Sequence, residues 1–479
     1  MSKKLINQLR NELGRNAVLS GVDAVAGGGY ARLGKTPVGV ALPEDVDQLR
    51  AVLSVAAESS VSIWVLPNKT ANGGIVGSAT EKDILVIDQS RMNKIVEVNV
   101  KGAYALVEPG VSYTQLNDYL QENNTGLWVD CDRNGLNSVA GSIAAREFGY
   151  TAYGDHTMMQ CGMEIMLADG ELVRLGMGAM PKSNTWQLAK YAYGPYLDGL
   201  FTQSNLGIMT KMGVWLMPAP PAYQPFAVIL KSNSDLAQAV EILRSFKVNV
   251  IIPNTVVISN PLLDASPFAA RDDYADGKIV DTKRLAAAHG LGLWTLYGAL
   301  YNTPPNVDVL WPMVQNAFTG IQDSAVLDLK TRAADPVFAA RESMMRGRPS
   351  AEFNNLNNWS GKAQLYAGFV SPIDGRQVLK MNKLASDTVR NSGFDYLTEY
   401  AVGWRSVIQR VYLAYQSEAE PRAIACLNAL IDAMAQRGFG VSHISTGYLD
   451  RALASYDNAG MTELRSRLKQ ALDPGSLFA

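Results

Sequence analysis

The stretch "PAPPAYQP", Pro218 to Pro225, constrains the chain more than any other: it carries four prolines in eight residues. Proline fixes φ and removes a backbone donor, so neither a helix nor a central strand continues through such a run. The two sides of it differ in pattern. Before it, short apolar strands lead into glycine-containing turns, as "SIWVL" leads into "PNKTANGG" and "YALV" into "EPGV". After it, strands alternate with helices: "FAVILK" with "SDLAQAVEILRSF", "GLWTLYGALY" with "NVDVLWPMVQNAF", "AQLYAGFV" with "RQVLKMNKLASDTVRNS". These patterns predict an α+β chain: a first domain over residues 1–219, a second over 220–441 with an antiparallel sheet layered by helices, and a C-terminal segment, 442–479, that returns to the first.

Local signals sharpen this. Leu5, Leu9 and Leu13 lie four apart and predict an amphipathic helix ended by Gly14, not a secretory leader. Ser112 and Gln115 form a capping-box signature ahead of "YTQLNDYLQENN", and Asp169-Gly170 between two apolar runs predicts a hairpin. A net charge of −2, with 18% charged and 47% hydrophobic residues, gives no basic face for nucleic acid. No apolar run is long enough to span a bilayer, and three cysteines without paired spacing fit a reducing compartment, so a cytoplasmic protein is expected. Cys131, Cys161 and Cys426 lack C-x-x-C spacing and predict neither a disulfide framework nor a metal site.

No G-x-G-x-x-G lies between a strand and a helix, and no Walker loop, H-E-x-x-H or G-x-S-x-G is present. Instead there are four turns, Pro67–Gly74, Glu108–Val111, Asn134–Ser142 and Gly149–His156. Glycine lets backbone N–H groups approach a dianionic pyrophosphate closely, so together these turns suit a cofactor cradle. Each taken singly reads as an ordinary loop, and only the four together put the cofactor reading level with it.

The order of the segments carries a resemblance. "YALVEPGVSYTQLNDYLQENN", "GYTAYGDHTMMQCGMEIMLADGELVRLGMGAMPKSNTW" and "YGPYLDGLFTQSNLGIMTKMGVWLMP" resemble the FAD-binding (PCMH-type) domain of the vanillyl-alcohol oxidase / 4-cresol dehydrogenase flavoprotein family, and "IIPNTVVIS", "LYGALY" and "QALDPGSLFA" extend the likeness through its cap. The resemblance implies FAD. It implies cofactor contacts in the first turn from Asn68, Lys69, Thr70, Ala71, Asn72 and Gly73, and in the second from Pro109, Gly110 and Val111. The third turn would supply Asn137, Ser138, Gly141 and Ser142, the fourth Tyr150, Gly154 and Asp155, and Gly207 and Ile208 would complete the set. His156 reads as a hydrogen-bonded structural histidine.

The departures from the family are concentrated where substrate is handled. The family holds a phenol oxygen with two tyrosines and an arginine; Asn72, Ser442 and His443 stand at those places. Its covalent flavin link is a cap tyrosine or histidine; Asn357 stands there, which implies non-covalent FAD, with Tyr366 nearby as a strand aromatic. Arg133 falls where the family places an acid. A family helix-turn with pocket side chains matches "VGWRSVIQRVY", which supplies Trp404, Arg405, Ile408, Gln409 and Tyr412. The predicted substrate pocket is therefore Arg133, Trp404, Arg405, Gln409, Tyr412, Ser442 and His443, with Arg133, Arg405 and His443 as its cations. Three readings follow: an FAD-dependent oxidoreductase transferring hydride from an aromatic or heteroaromatic small molecule, a catalytically silent homologue acting as a partner subunit or binding protein, and a para-alkylphenol oxidase with substitute residues. A homodimer, and a cytochrome or other electron acceptor, are compatible with each.

Overall fold

A computed structural model describes residues 2–26, 30, 36–68, 82–277, 279–350, 352–354, 356, 359, 363–445 and 447–479. The N-terminal helix, Ser2–Leu13, buries Leu5 and Leu9 and ends at Gly14, whose positive φ of 89° suits glycine and takes the chain out of the helix. Two sheets follow. Strands β1 (Val18–Ser20), β2 (Gly39–Ala41), β3 (Ser62–Leu66) and β4 (Ile84–Asp88) form one in the order β1-β2-β4-β3, with β2, β4 and β3 parallel. Parallel strands buried on both faces need near-continuous apolar runs, and β3 and β4 are wholly buried. Strands β5 (Ile95–Asn99) and β6 (Tyr104–Val107), with β8 (Gln160–Met166), β9 (Leu172–Arg174) and β10 (Ile208–Trp215), form an antiparallel sheet in the order β5-β6-β10-β8-β9. A short pair, β7 (Leu127–Trp128) and β11 (Met217–Pro218), closes this half. The chain end returns here: Phe478 lies beside Ile63, and Ala479 N donates to Ile63 O at 2.9 Å.

The capping signature at Ser112 is half realised. Its hydroxyl accepts from Gln115 N at 3.1 Å, while the Gln115 amide turns away to Asn93 O at 2.9 Å.

The first strand of the next sheet starts inside the proline run and takes in Pro225, so the run does not exclude an inner strand as its prolines suggest. Eight strands form this one antiparallel sheet. These are β12 (Ala222–Leu230), β13 (Val256–Ser259), β16 (Trp294–Asn302), β17 (Ala325–Asp328), β18 (Ala363–Pro372), β19 (Leu397–Val402), β20 (Ser406–Tyr415) and β21 (Val441–Ile444), in the order β17-β12-β16-β13-β19-β20-β18-β21. A minor hairpin, β14 (Ala275–Asp276) with β15 (Ile279–Val280), stands apart. One face of the large sheet is covered by the helices Asn233–Val248, Pro304–Thr319, Gly375–Asn391 and Glu420–Ala435. The other face packs Tyr297, Leu397, Ala401, Tyr366 and Tyr412 with Phe148 and Tyr150 of the first half. That second face forms the interface between the two halves.

The segment "VGWRSVIQRVY" is a strand, not a helix-turn. A tight turn closed by Gly403 N to Ser406 O at 2.9 Å leads into β20. Its β-branched and aromatic residues favour the pleat, and the period of two decides which side chains share a face.

Candidate active site

Three of the four glycine-containing turns come together. Val139 N donates to Val111 O at 3.0 Å, Tyr113 N to Asn137 O at 3.1 Å, and the Ser138 hydroxyl to Pro109 O. The Ser138 hydroxyl also accepts from Gly141 N at 2.8 Å. Asn68, at the start of the first turn, donates its amide to Leu136 O at 3.0 Å. Lys69, Thr70, Ala71, Asn72, Gly73 and Asn357 lie outside the described residues. The fourth turn is fixed by a buried carboxylate: Asp130 accepts Tyr150 N at 3.1 Å and Thr151 N at 2.7 Å through one oxygen, and lies 2.8 Å from His156 Nε2 through the other. Tyr113 Oη is 3.2 Å from His156 Nδ1. His156 is thus a strut that holds the Gly149–Asp155 loop.

Two of the glycines have structural reasons of their own. A Cβ on Gly110 would lie 2.7–2.9 Å from the carbonyls of Gln89, Met92 and Ser90, and one on Gly154 would lie 2.3 Å from Thr255 Oγ1. Gly207 and Ile208 open β10, with the Ile208 side chain in the apolar core.

Above these loops lies the inner face of the large sheet. Register places Glu399 opposite Arg410, Arg410 opposite Gly368, and Gly368 opposite His443, in one row across four strands. Glu147, just before the fourth turn, accepts from Arg410 and from Tyr366 Oη at 2.8 Å. Arg410 lies 3.7 Å over the Phe148 ring, and Tyr366 stacks on Tyr412 with centroids 6.0 Å apart. Tyr412 Oη donates to Glu399 at 3.0 Å; Arg341 bridges Glu399 at 3.4 Å and Asp264 at 2.6 Å. Arg133 extends from the third turn to lie 4.2 Å over the Tyr412 ring and donates to Phe353 O at 3.1 Å.

The charges here are held firmly. Burial alone would raise the carboxyls, but the Arg410 charge, helped by the Tyr366 hydroxyl, outweighs it at Glu147, and Arg133, Arg341 and Arg410 outweigh it at Glu399, so both fall below the ordinary glutamate value. Burial works against the Arg133 charge, yet Tyr412 and Glu399 hold it above the ordinary arginine value. His443 is pulled below the ordinary histidine value by burial, against the opposing pull of Glu147. It is a neutral ring, 2.5 Å from Arg146 O through Nε2 and 2.8 Å from Ser442 Oγ through Nδ1, and so not one of the cations expected of the pocket.

The expected pocket residues therefore separate. Arg133 and Tyr412 belong to the buried cluster. Ser442 and His443 line a neighbouring cleft, with Trp404 and Arg405 exposed at its rim. Gln409 leaves the set: strand alternation turns it to the helix-covered face, where its amide donates to Tyr396, Thr398 and Tyr400. The side chains the strand brings in instead are Arg410 and Glu399, with Glu147 facing them. Arg410 lies midway between Ile408 and Tyr412, so a period-two reading of the segment finds it.

Within this interface, Arg133 Nε, Arg410 Nε and Tyr150 Oη are buried without a hydrogen-bond partner among the described residues. Burial, followed by the Glu399 charge, drives the Tyr150 hydroxyl well above its ordinary value, so it remains a donor. A buried donor left unpaired costs about 1–3 kcal/mol, and three gathered in one interface fit an acceptor-rich group such as a flavin or its substrate.

Comparison with known proteins identifies the cofactor and the family. An FAD binding domain profile matches residues 37–176. The 4-cresol dehydrogenase [hydroxylating] flavoprotein subunit of Pseudomonas putida is 36% identical over 444 residues, which cover 91% of this chain and 85% of that protein. The chain belongs to the vanillyl-alcohol oxidase / 4-cresol dehydrogenase flavoprotein family. It is an FAD-dependent oxidoreductase. The crystal structure of p-cresol methylhydroxylase with substrate bound superposes with a TM-score of 0.92 at 33% identity, over 99% of this chain and 96% of that one. The 1'-carboxy-chondrochloren decarboxylase of Chondromyces crocatus is 33% identical over 208 residues, 43% of this chain and 38% of that protein. Among the described residues no helix is long and apolar enough to cross a membrane, and no cluster of three or more histidine, cysteine or carboxylate side chains is set to hold a metal ion.

Proposed function

We propose that this flavoprotein oxidises an aromatic substrate bearing an anionic group, and that it holds FAD without a covalent bond. One observation carries the reading: Arg133 is a cation at the domain interface with no carboxylate in ion-pair contact among the described residues, lying on the face of Tyr412. An arginine fork matches a carboxylate or phenolate, and the Tyr412 ring beneath it holds the fork in place. Tyr150 Oη adds a protonated donor from the loop below. The relative from Chondromyces crocatus is, by its name, a decarboxylase of a carboxylated compound, which accords with an acidic substrate.

FAD, when bound, accepts a hydride from the substrate. The surrounding residues bind, orient and exclude water. Arg133 and Tyr150 fix the anionic group, Glu399 remains ionised and holds the Tyr412 hydroxyl, and the Arg410–Glu147 pair ties the cap to the first half. The place where the family grips a phenol is spent on internal bonds, since Ser442 and His443 bond each other and His443 bonds Arg146 O. The loss of even one preorganised oxyanion donor costs about 2.7–4 kcal/mol of barrier, so 4-cresol itself is a poor substrate. Tyr366 gives its hydroxyl to Glu147 and is driven well above its ordinary value by burial, then by that charge, which leaves it a weak nucleophile toward a flavin.

The test is anaerobic titration of the FAD-loaded protein with 4-cresol and with 3-(4-hydroxyphenyl)propanoate. Flavin absorbance falls with the acid and not with 4-cresol, and Arg133→Met abolishes the response. Efficient bleaching by 4-cresol, or full bleaching by the acid in Arg133→Met, overturns the reading. Flavin that dithionite bleaches but no aromatic acid reduces would assign the chain to the silent, binding role. Acid precipitation then separates the cofactor claim: yellow colour passes to the supernatant, and fluorescence left on the denatured band contradicts non-covalent binding.

A further inference from the structure

The fourth turn is held from two sides. From the first half, Asp130 takes its amides at Tyr150 and Thr151. From the cap, Asn254 donates its side-chain amide to Tyr150 O at 3.2 Å, and Thr255 N donates to Thr151 O at 3.4 Å. Asn254 is itself fixed to the large sheet, since its side-chain oxygen accepts from Ala299 N of β16 at 3.1 Å. The Tyr150 hydroxyl therefore stands on a backbone that both halves grip.

A lysine secures the cap's side of this grip. The helix Asn233–Val248 ends just before it, and residues 249–255 carry the chain to β13 as neither helix nor strand. Ile252 and Asn254 are fully buried there, and carbonyls in a buried loop need donors. Lys247 Nζ supplies them: it donates to Ile252 O at 3.2 Å, to Pro253 O at 3.4 Å and to Asn254 O at 2.5 Å. The chain doubles back through Val250, whose φ of 56° is left-handed. A β-branched residue keeps that conformation only where its surroundings over-determine it. Lys247 is buried and pairs with no carboxylate among the described residues; burial, unopposed, pulls its amine down to about 7. A lysine has at most three N–H bonds to give, and three main-chain carbonyls take them, so Lys247 offers nothing to a ligand and instead holds the chain.

We propose that Lys247 is a positioning residue of the oxidation site: by gathering the Ile252–Asn254 carbonyls it sets Asn254, and through Asn254 the backbone that aims the Tyr150 hydroxyl at the substrate's anionic group. This role rests on the reading that Tyr150 grips that group. Two features separate it from that of a lysine that merely props a loop. Only one residue, Asn254, stands between Lys247 Nζ and Tyr150 O, and the side chain so placed, Tyr150, carries one of the three open donors of the interface.

The experiment is a double-mutant cycle on the FAD-loaded protein, with 3-(4-hydroxyphenyl)propanoate as the probe and Kd read from perturbation of the flavin spectrum. Lys247→Met weakens binding at least fivefold in the wild type and less than twofold in Tyr150→Phe, where the hydroxyl that it would misplace is already gone. Wild-type affinity in Lys247→Met, or the same loss in both backgrounds, overturns the proposal, because a lysine that only stabilises the cap acts equally with and without the hydroxyl. Where Lys247→Met takes up no FAD, Lys247→Gln, which keeps an amide to meet the carbonyls, goes through the same cycle under the same criteria. A fluorine probe separates this role from the reading beneath it: 3-fluorotyrosine is placed at position 150 alone, and its 19F resonance is recorded in the FAD-loaded protein without the acid. The resonance shifts when Lys247→Met is added, and an unmoved resonance overturns the proposal. If Tyr150→Phe binds the acid like the wild type while the resonance still shifts, the oxidation-site reading of Tyr150 has failed and the hold of Lys247 on the turn stands.

Discussion

The two faces of the eight-stranded sheet are built from the same strands and do opposite things. On the helix-covered face, Gln409 Nε2 donates to the hydroxyls of Tyr396, Thr398 and Tyr400, at 2.6, 3.2 and 3.1 Å, and both tyrosines donate onward to Asn382 at 2.8 and 3.0 Å. Every member is neutral. One residue along each strand, Glu399 and Arg410 carry full charges to the other face, beside Tyr412. There the network is not closed: Arg133 Nε, Arg410 Nε and Tyr150 Oη have no partner among the described residues, against the single atom Gln409 Oε1 on the helix side. Fully satisfied polar networks specify a fold, whereas open donors in a low-dielectric interface mark a place where something else binds. The difference separates structural polarity from functional polarity within one sheet.

The largest effect should come from breaking the charged face. Glu147→Ala leaves Arg410 buried with only the longer contact to Glu399, 3.8 Å away, and removal of one partner of a buried pair costs about 3–5 kcal/mol, here the lower end of that range. Urea unfolding of Glu147→Ala reads this directly, and Glu147→Ala with Arg410→Met should regain most of the loss. If the single variant unfolds like the wild type, the pair is not what joins the halves.

Acid should loosen the same face in two stages. His443 has a folded pKa below the ordinary 6.5, so the folded state binds fewer protons than the unfolded one, and stability falls as pH drops below that value. Glu147, Arg410 and Arg146 are the charged groups around it, and Glu147 is the one that moderates the fall. Glu147 and Glu399, both depressed, add a second loss when pH descends through the carboxylate range. His443→Gln should flatten the first stage and leave the second; an unchanged slope between pH 7 and 5 would show that His443 is not the titrating group.

How far this face was legible in the sequence depended on which periodicity was applied. The proline run and the later strand–helix alternation pointed to an α+β architecture, because those signals are local and physical. Arg133 and Tyr412 come from the resemblance, at places where the family handles substrate, and both lie in the buried cluster. As a helix-turn, in which residues four apart align, "VGWRSVIQRVY" points Gln409 at the pocket and hides Arg410; as β20, in which residues two apart share a face, it does the reverse. Glu147 was invisible for a different reason. Its meaning lies in a contact with Arg410, 263 residues away, that no local pattern encodes. Glycine carries a second meaning that a sequence does not separate, since Gly110 and Gly154 are also required by the Gln89–Met92 carbonyls and by Thr255.

Tyr150→Phe probes the open donors on a finer scale. The hydroxyl is buried and unpartnered, so its removal should leave the FAD-free protein as stable or more stable by about 1 kcal/mol. The same change should weaken binding of FAD or of the aromatic acid, measured by spectral titration. A variant that loses stability without FAD, yet binds both as tightly as the wild type, would make Tyr150 a structural residue like those of the helix side.

The smallest effect belongs to Gln409→Leu. The glutamine donates to three hydroxyls, but each of these keeps another bond: Tyr396 and Tyr400 to Asn382, and Thr398 Oγ1 to Arg410 O at 2.7 Å. Leucine is of similar length, and it removes the one unpaired oxygen on that face. With net hydrogen-bond contributions near 0.5–1.5 kcal/mol and an unpaired atom relieved, the change in stability should be about 1 kcal/mol or less. Flavin reduction by an aromatic acid should not change, because no atom of Gln409 reaches the inner face. A variant that folds normally but has lost flavin reduction would mean that the two faces communicate through β20, and the division between a structural and a functional side of the sheet would have to be abandoned.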